Sequence, residues 1–234
     1  MHKTSAQMRL TERHVALLER EIADPGPMPG LVETTQAQYD ATIAKLLADA
    51  PESGEVWFFA YGSLIWKPAC DVVELKTGVV RGWHRAFCLG WNTRFRGSDE
   101  NPGLMLALDR GGACKGVAYR VPPSCVKENL EKLLRREMSY WPSAFPPRWV
   151  SVETSTGPMR AITFAIDRKS GRYVTGLTNP QIAQVLAAAV GARGSMAEYL
   201  YATVQHLEQL GIHDRHLWEL QELVAEQIEA AYPG

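Results

Sequence analysis

From residue 55 onward the chain falls into short apolar segments of β-type composition, each closed within a few residues by glycine or proline. EVWFFA (55–60) has the aromatic and β-branched content of a buried strand. DVVELKTGVVRGWHRAFCLG (71–90) alternates as two or more strands do. GLMLALD and KGVAYRV flank RGGAC (110–114), which reads as a glycine-bearing hairpin loop, and RWVSVET and RAITFAID flank STGP (155–158) in the same way. One helix interrupts these hairpins at 125–138, and the last third is helical. Asn179-Pro180 opens the first of these later helices as N-cap and first position. Ser195 with Glu198 has the capping-box spacing, Gly211 stops that helix, and a final one runs over 214–231. Together these elements predict an α+β chain whose mainly antiparallel sheet curls into a small β-barrel with surrounding helices.

The first 54 residues differ in texture. Val15, Leu18 and Ile22 recur at helical spacing over 11–23, with Thr11 as a cap. DPGPMPG (24–30) forbids continuation, and a second helix is expected over 35–49 with Tyr39, Ile43, Leu46 and Leu47 on one face. The chain therefore divides into an N-terminal helical extension, 1–54, and a main body with C-terminal helices, 55–234.

Charge and composition narrow the function. A net charge of −1 generates no field that would draw nucleic acid or an anionic membrane. No apolar run is long enough for a bilayer, and the opening MHKTSAQMRLTERH is too polar for a signal peptide. Cys70, Cys88, Cys114 and Cys125 form no C-x-x-C pair, so neither a zinc site nor a redox motif is indicated, and they read as reduced thiols of a cytoplasmic protein. His213-x-x-His216 lacks the H-E-x-x-H pattern and reads as a solvated helix start.

The central helix carries one carboxylate out of place. With Val126 as origin and about 100° per residue, Leu130, Leu133 and Leu134 share its stripe, Glu137 falls in the middle of that stripe, and Glu128, Glu131, Lys132 and Arg135 fall opposite. A buried carboxylate must be paired or protonated, and desolvation raises its pKa toward the range that general acid–base catalysis uses. Glu137 is therefore either a catalytic base or a helix-end residue that reaches water or an arginine. Ser63 lacks the G-x-S-x-G elbow and a visible His–Asp set, so it reads as a turn serine rather than a nucleophile.

FAYGSLIWKP, GVVRGWHRAFCLG, RGSDENPGLMLALDRGG, GVAYRV and LLRREM follow one another in the order found in the ChaC family, which the chain resembles from about residue 55 to its end. The resemblance implies a β-barrel of the γ-glutamylcyclotransferase type over 55–234 and activity as a glutathione-specific γ-glutamylcyclotransferase, a lyase that needs no cofactor and no metal. It implies that Tyr61, Gly62, Ser63 and Leu64 hold the γ-glutamyl part of the substrate through backbone groups, in the manner of an anion-binding nest, with Gly62 permitting close approach. It makes Glu137, after Arg136, the catalytic glutamate. The R-G-x-x-R-x-F block matches Arg81, Gly82, Arg85 and Phe87, and R-G matches Arg96 and Gly97; one of Arg85 or Arg96 is expected near the substrate, and Tyr199 is similar to a family tyrosine near the site. After R-E the chain departs from the family, reading MSYWPSAFPPRWV without the usual glycine, so this loop is expected to close the site differently. The chemistry implied is attack of the α-amine on the γ-carbonyl, giving 5-oxoproline and Cys-Gly, with Glu137 moving the proton. The alternatives are cyclotransfer on other γ-glutamyl peptides or amines, a non-catalytic partner-binding protein, and, behind both, a serine hydrolase.

Overall fold

The computed structural model describes residues 7–233. In chain order the elements begin with α1 (Glu12–Leu17), β1 (Val32–Glu33), α2 (Gln36–Ala48), β2 (Trp57–Ala60), β3 (Glu74–Asn92) and β4 (Gly103–Arg120). A 3-10 turn (Pro123–Cys125) then leads into α3 (Val126–Glu137), β5 (Tyr140–Trp141), β6 (Pro147–Thr154) and β7 (Gly157–Phe164). The chain ends with α4 (Asn179–Ala188), β8 (Val190–Gly191), β9 (Gly194–Ser195), α5 (Met196–Gln209) and α6 (Arg215–Ala231).

Two compact units share these elements. One holds residues 27–89 and 106–173 and is the barrel unit; the other holds the residues up to Gly26, residues 90–105 and those from Val174 on, and is mainly helical. Residues 7–54 contribute to both, α1 to the helical unit and β1 with α2 to the barrel unit.

Five strands close the expected barrel in the order β2-β4-β3-β6-β7. β2 is buried at all four positions and lies antiparallel to β4, with Trp57 opposite Arg120 and Ala60 opposite Val117. β6 and β7 form the expected hairpin, from Pro147↔Phe164 to Thr154↔Gly157. Closure comes from a parallel contact, Phe58↔Ile162, between β2 and β7. Phe58, Phe59, Ile162 and Phe164 are at most 1% exposed, as expected where a sheet wraps onto itself and has no solvent-facing edge.

Four local expectations differ from the structure. RGGAC is not a hairpin loop: β4 runs through it, with Gly111 and Gly112 at φ of 103° and 66° and the Gly111 carbonyl 3.1 Å from His84 Nδ1 on β3. β3 is likewise one strand rather than two, and passes Gly82 at φ 78°. Glycine at positive φ bends a strand as readily as it reverses one, and a small barrel needs bent strands. α1 spans six residues rather than thirteen: the Leu18 and Glu19 N–H groups turn back to Val15 O and Ala16 O (3.0 and 3.2 Å), the tighter closure that ends a helix. The cap of α4 is Thr178 rather than Asn179, with Gln181 completing a capping box.

One buried carboxylate braces the barrel. Asp109 on β4 is 6% exposed and accepts hydrogen bonds from Arg168 Nε (2.6 Å), the Arg110 N–H (2.7 Å) and Tyr173 Oη (2.9 Å). Burial pushes its carboxyl up, but these bonds outweigh burial and hold it below the usual aspartate value. A carboxylate whose folded pKa lies below its unfolded one stabilises the fold above the unfolded value, about 3.9, and loses that contribution as pH falls through the folded value. Asp109→Asn is therefore expected to lower stability at pH 7 and to flatten the decline between pH 4 and 2, read from urea denaturation across that range.

Candidate active site

β2 ends at Ala60 and delivers the chain into Tyr61-Gly62-Ser63-Leu64 at close quarters with β4. A Cβ on Gly116 would lie 2.4 Å from the Ala60 carbonyl oxygen and 2.6 Å from the Phe59 ring, so only glycine lets β4 pass this near. The loop makes one tight turn, with the Ile65 N–H donating to Gly62 O and the Lys67 N–H to Ser63 O, both at 2.9 Å. Tyr119 Oη pins its far side by donating to Ile65 O at 2.9 Å. The N–H groups of Gly62, Ser63 and Leu64 donate to no acceptor among the described residues. Gly62 and Leu64 are buried, and buried amide donors normally find a partner. Three consecutive N–H groups left open are suited to an anion.

Arg85 fixes the entrance to this loop. It is 4% exposed, its Nε donates to Tyr61 O at 3.0 Å, and its Nη2 donates to Lys115 O. It is not surface charge; it ties β3 to the first residue of the loop and to β4.

The glutamate arrives from α3. Leu130, Leu133 and Leu134 are fully buried on the predicted stripe, while Glu128–Lys132 and Glu131–Arg135 pair on the exposed side, each at 2.8 Å. Glu137 is the last helical residue, with its side chain 16% exposed, so it reaches neither bulk water nor full burial. Arg136 lies between it and the loop. Arg136 Nη2 donates to Ser63 Oγ at 3.0 Å, Nη1 donates to Lys67 O, and Nε stands 3.3 Å from Glu137 Oε1. The two side chains are close enough to form an ion pair. Ser63 is bonded to this arginine and to no histidine among the described residues, which leaves its hydroxyl without a base.

Arg96 and Tyr199 meet in the helical unit. Arg96 Nη1 donates to Ser195 O (2.9 Å) and Glu198 Oε2 (2.5 Å), and its guanidinium lies 5.8 Å from the Tyr199 ring. Glu198, expected to close a capping box, serves Arg96 instead; Ser195 Oγ still accepts its N–H at 3.0 Å. His213 bonds Glu208 at 2.8 Å and packs on Trp218. Among the described residues no three His, Cys, Asp or Glu gather as metal ligands. Burial pushes the Cys70 thiol to about 11 and the Cys88 thiol to about 12, so both are protonated packing residues rather than nucleophiles.

The sequence reading missed one polar residue, Asn129, and the contact made by another, Arg136. Asn129 is fully buried, accepting from the Asp71 N–H (2.9 Å) and donating to Cys125 O (3.0 Å), which ties the start of α3 to the chain after the loop. Its place beside the stripe of Val126, Leu130 and Leu133 was the available signal. Arg136 was named only as the residue before Glu137, and its bond to Ser63 had no signal, because helical periodicity says nothing about a loop 73 residues away.

A model of the ChaC-like protein family matches residues 56–227. The chain belongs to the ChaC-like family. Among curated relatives, the glutathione-specific gamma-glutamylcyclotransferase of Escherichia coli K12 is 39% identical over 197 residues, covering 84% of each chain. Glutathione-specific gamma-glutamylcyclotransferase 1 of Mus musculus is 31% identical over 76% of this chain and 81% of its own. The crystal structure of a gamma-glutamylcyclotransferase specific to glutathione from yeast superposes with a TM-score of 0.68 at 22% identity, covering 74% of this chain and 96% of that one. That likeness shows a shared fold, and the ChaC-like barrel is the one described above. No helix among the described residues is long and apolar enough to cross a membrane.

Proposed function

We propose that this chain is a glutathione-specific γ-glutamylcyclotransferase that releases 5-oxoproline and Cys-Gly, with Glu137 as its general acid and base. Within a ChaC-like chain, the observation that carries the reading is the arginine link from Ser63 through Arg136 to Glu137, which holds the open amide loop and the carboxylate as one constellation.

The open N–H groups of Gly62, Ser63 and Leu64 take the substrate's α-carboxylate. Anchoring that group folds the γ-glutamyl arm so that its amine faces its own γ-carbonyl, and such orientation lowers the barrier by several kcal/mol. Glu137 removes a proton from the α-ammonium, the freed amine forms the new C–N bond, and the C–N bond to cysteine breaks. Glu137 returns that proton to the departing nitrogen, and the second proton that the ring nitrogen gives up on forming the C–N bond follows it, so that a neutral lactam and the ammonium form of Cys-Gly leave and atoms and charge balance without an enzyme nucleophile. Arg85 acts by holding Tyr61. A substrate role for Arg96 and Tyr199 rests on the motif match alone. The four cysteines are free, which suits a reducing compartment, and we place the reaction in the cytoplasm.

Purified protein incubated with glutathione is expected to yield 5-oxoproline and Cys-Gly in equal amounts by mass spectrometry. Turnover of other γ-glutamyl peptides or amines in preference to glutathione would overturn the specificity, and no 5-oxoproline from any of them would overturn the reaction.

A further inference from the structure

The segment before the barrel is bonded to the residues that directly follow Glu137. α3 ends with the Met138 N–H donating to Leu134 O at 2.7 Å, which leaves the Met138 carbonyl to be satisfied inside the protein, for Met138 is 2% exposed. Two hydroxyls satisfy it: Thr34 Oγ1 donates at 2.6 Å and Tyr39 Oη at 3.0 Å. The next residues are held from the same segment. The Thr34 N–H donates to Ser139 O at 3.1 Å, Val32 and Glu33 pair with Trp141 and Tyr140, and the Met28 N–H donates to Tyr140 Oη at 3.0 Å. Tyr39 is itself fixed, being 4% exposed with the Arg135 guanidinium 5.0 Å from its ring.

We propose that Thr34 and Tyr39 are positioning residues for Glu137, acting through the Met138 carbonyl they share. The proposal rests on the reading of Glu137 as the catalytic acid and base. The chain after R-E lacks the glycine that the family resemblance leads one to expect, and here a short ladder to β1 and two hydroxyls define the path instead. The carboxylate sits one peptide before the bonded carbonyl, so the angle at which α3 ends, and with it the direction of Glu137, is set from residues 28–39. Removing both hydroxyls leaves a buried acceptor unpaired, and the last turn of α3 then shifts to find another donor. Reaction rates are steep in such shifts, since a misplacement of about 1 Å costs on the order of a hundredfold.

The experiment compares the full-length double variant Thr34→Val/Tyr39→Phe with wild type, Thr34→Ser and Glu137→Gln, reading kcat and KM for glutathione well below the thermal transition. The double variant is expected to lose about tenfold or more in kcat with KM within about twofold, because the substrate-anchoring loop is untouched. Thr34→Ser keeps the hydroxyl and is expected to keep wild-type kcat. A contribution to stability alone would lower the melting temperature and leave kcat of the folded enzyme as it was, and that result overturns the proposal. Should the double variant fail to fold, the single variants Thr34→Val and Tyr39→Phe decide together, a reduced kcat in either supporting the inference and an unchanged kcat in both ending it. An inactive Glu137→Gln beside a fully active double variant rejects the positioning role only, whereas an active Glu137→Gln rejects the reading beneath it.

Discussion

Glu137→Gln is expected to abolish formation of 5-oxoproline from glutathione while the protein stays folded. Glutamine keeps the volume of the side chain and an oxygen facing Arg136 Nε, which stands 3.3 Å from the carboxylate in the native chain. What disappears is the capacity to take a proton. The substrate's α-amine is mostly protonated at pH 7, with an ordinary pKa of about 8, and cannot attack until that proton leaves. Positioned acid–base groups contribute about 10²–10⁴-fold, and in the proposed reaction one group would serve both the attacking and the leaving nitrogen, so the expected loss belongs at the upper end. Initial rates beside a thermal melt make the comparison. Retention of more than about a tenth of wild-type turnover would falsify the assignment of Glu137.

Arg85→Met has the second large expected effect, and it acts on the fold of the loop rather than on the chemistry. Arg85 is buried and donates to the carbonyls of Tyr61 and Lys115. Methionine refills most of the space but donates nothing. Each buried acceptor left unpaired costs about 1–3 kcal/mol, so a loss of roughly 2–5 kcal/mol is expected in urea denaturation. Turnover is expected to fall as well, with KM rising, since Tyr61 is the residue from which the open amides of Gly62, Ser63 and Leu64 are hung. A change in stability below about 0.5 kcal/mol would show that the two carbonyls find other donors.

Much of this architecture was legible in the sequence wherever one period dominated. The stripe of α3 placed Leu130, Leu133 and Leu134 from spacing alone, and the β6–β7 hairpin followed from its glycine and its alternation. Legibility failed where one residue type permits two backbones. Gly82, Gly111 and Gly112 mark bends in long strands, not turns, and only the closing of the barrel selects between the two. It failed again where contacts join distant segments. Thr34 and Tyr39 meet Met138 across 104 and 99 residues, and Arg136 meets Ser63 across 73. No local pattern encodes such a meeting. The motif order pointed to the candidate site residues, while the hydrogen bonds around them form only in the folded chain.

The parallel seam between β2 and β7 has a consequence for how the polypeptide is made. Thr163 Oγ1 bonds the Phe59 carbonyl from 104 positions further along, so a nascent chain emerging from the ribosome carries Trp57-Phe58-Phe59 as an uncovered greasy edge until its partner strand is synthesised. Distant pairings of this kind slow folding and leave the exposed edge open to clumping in the interval.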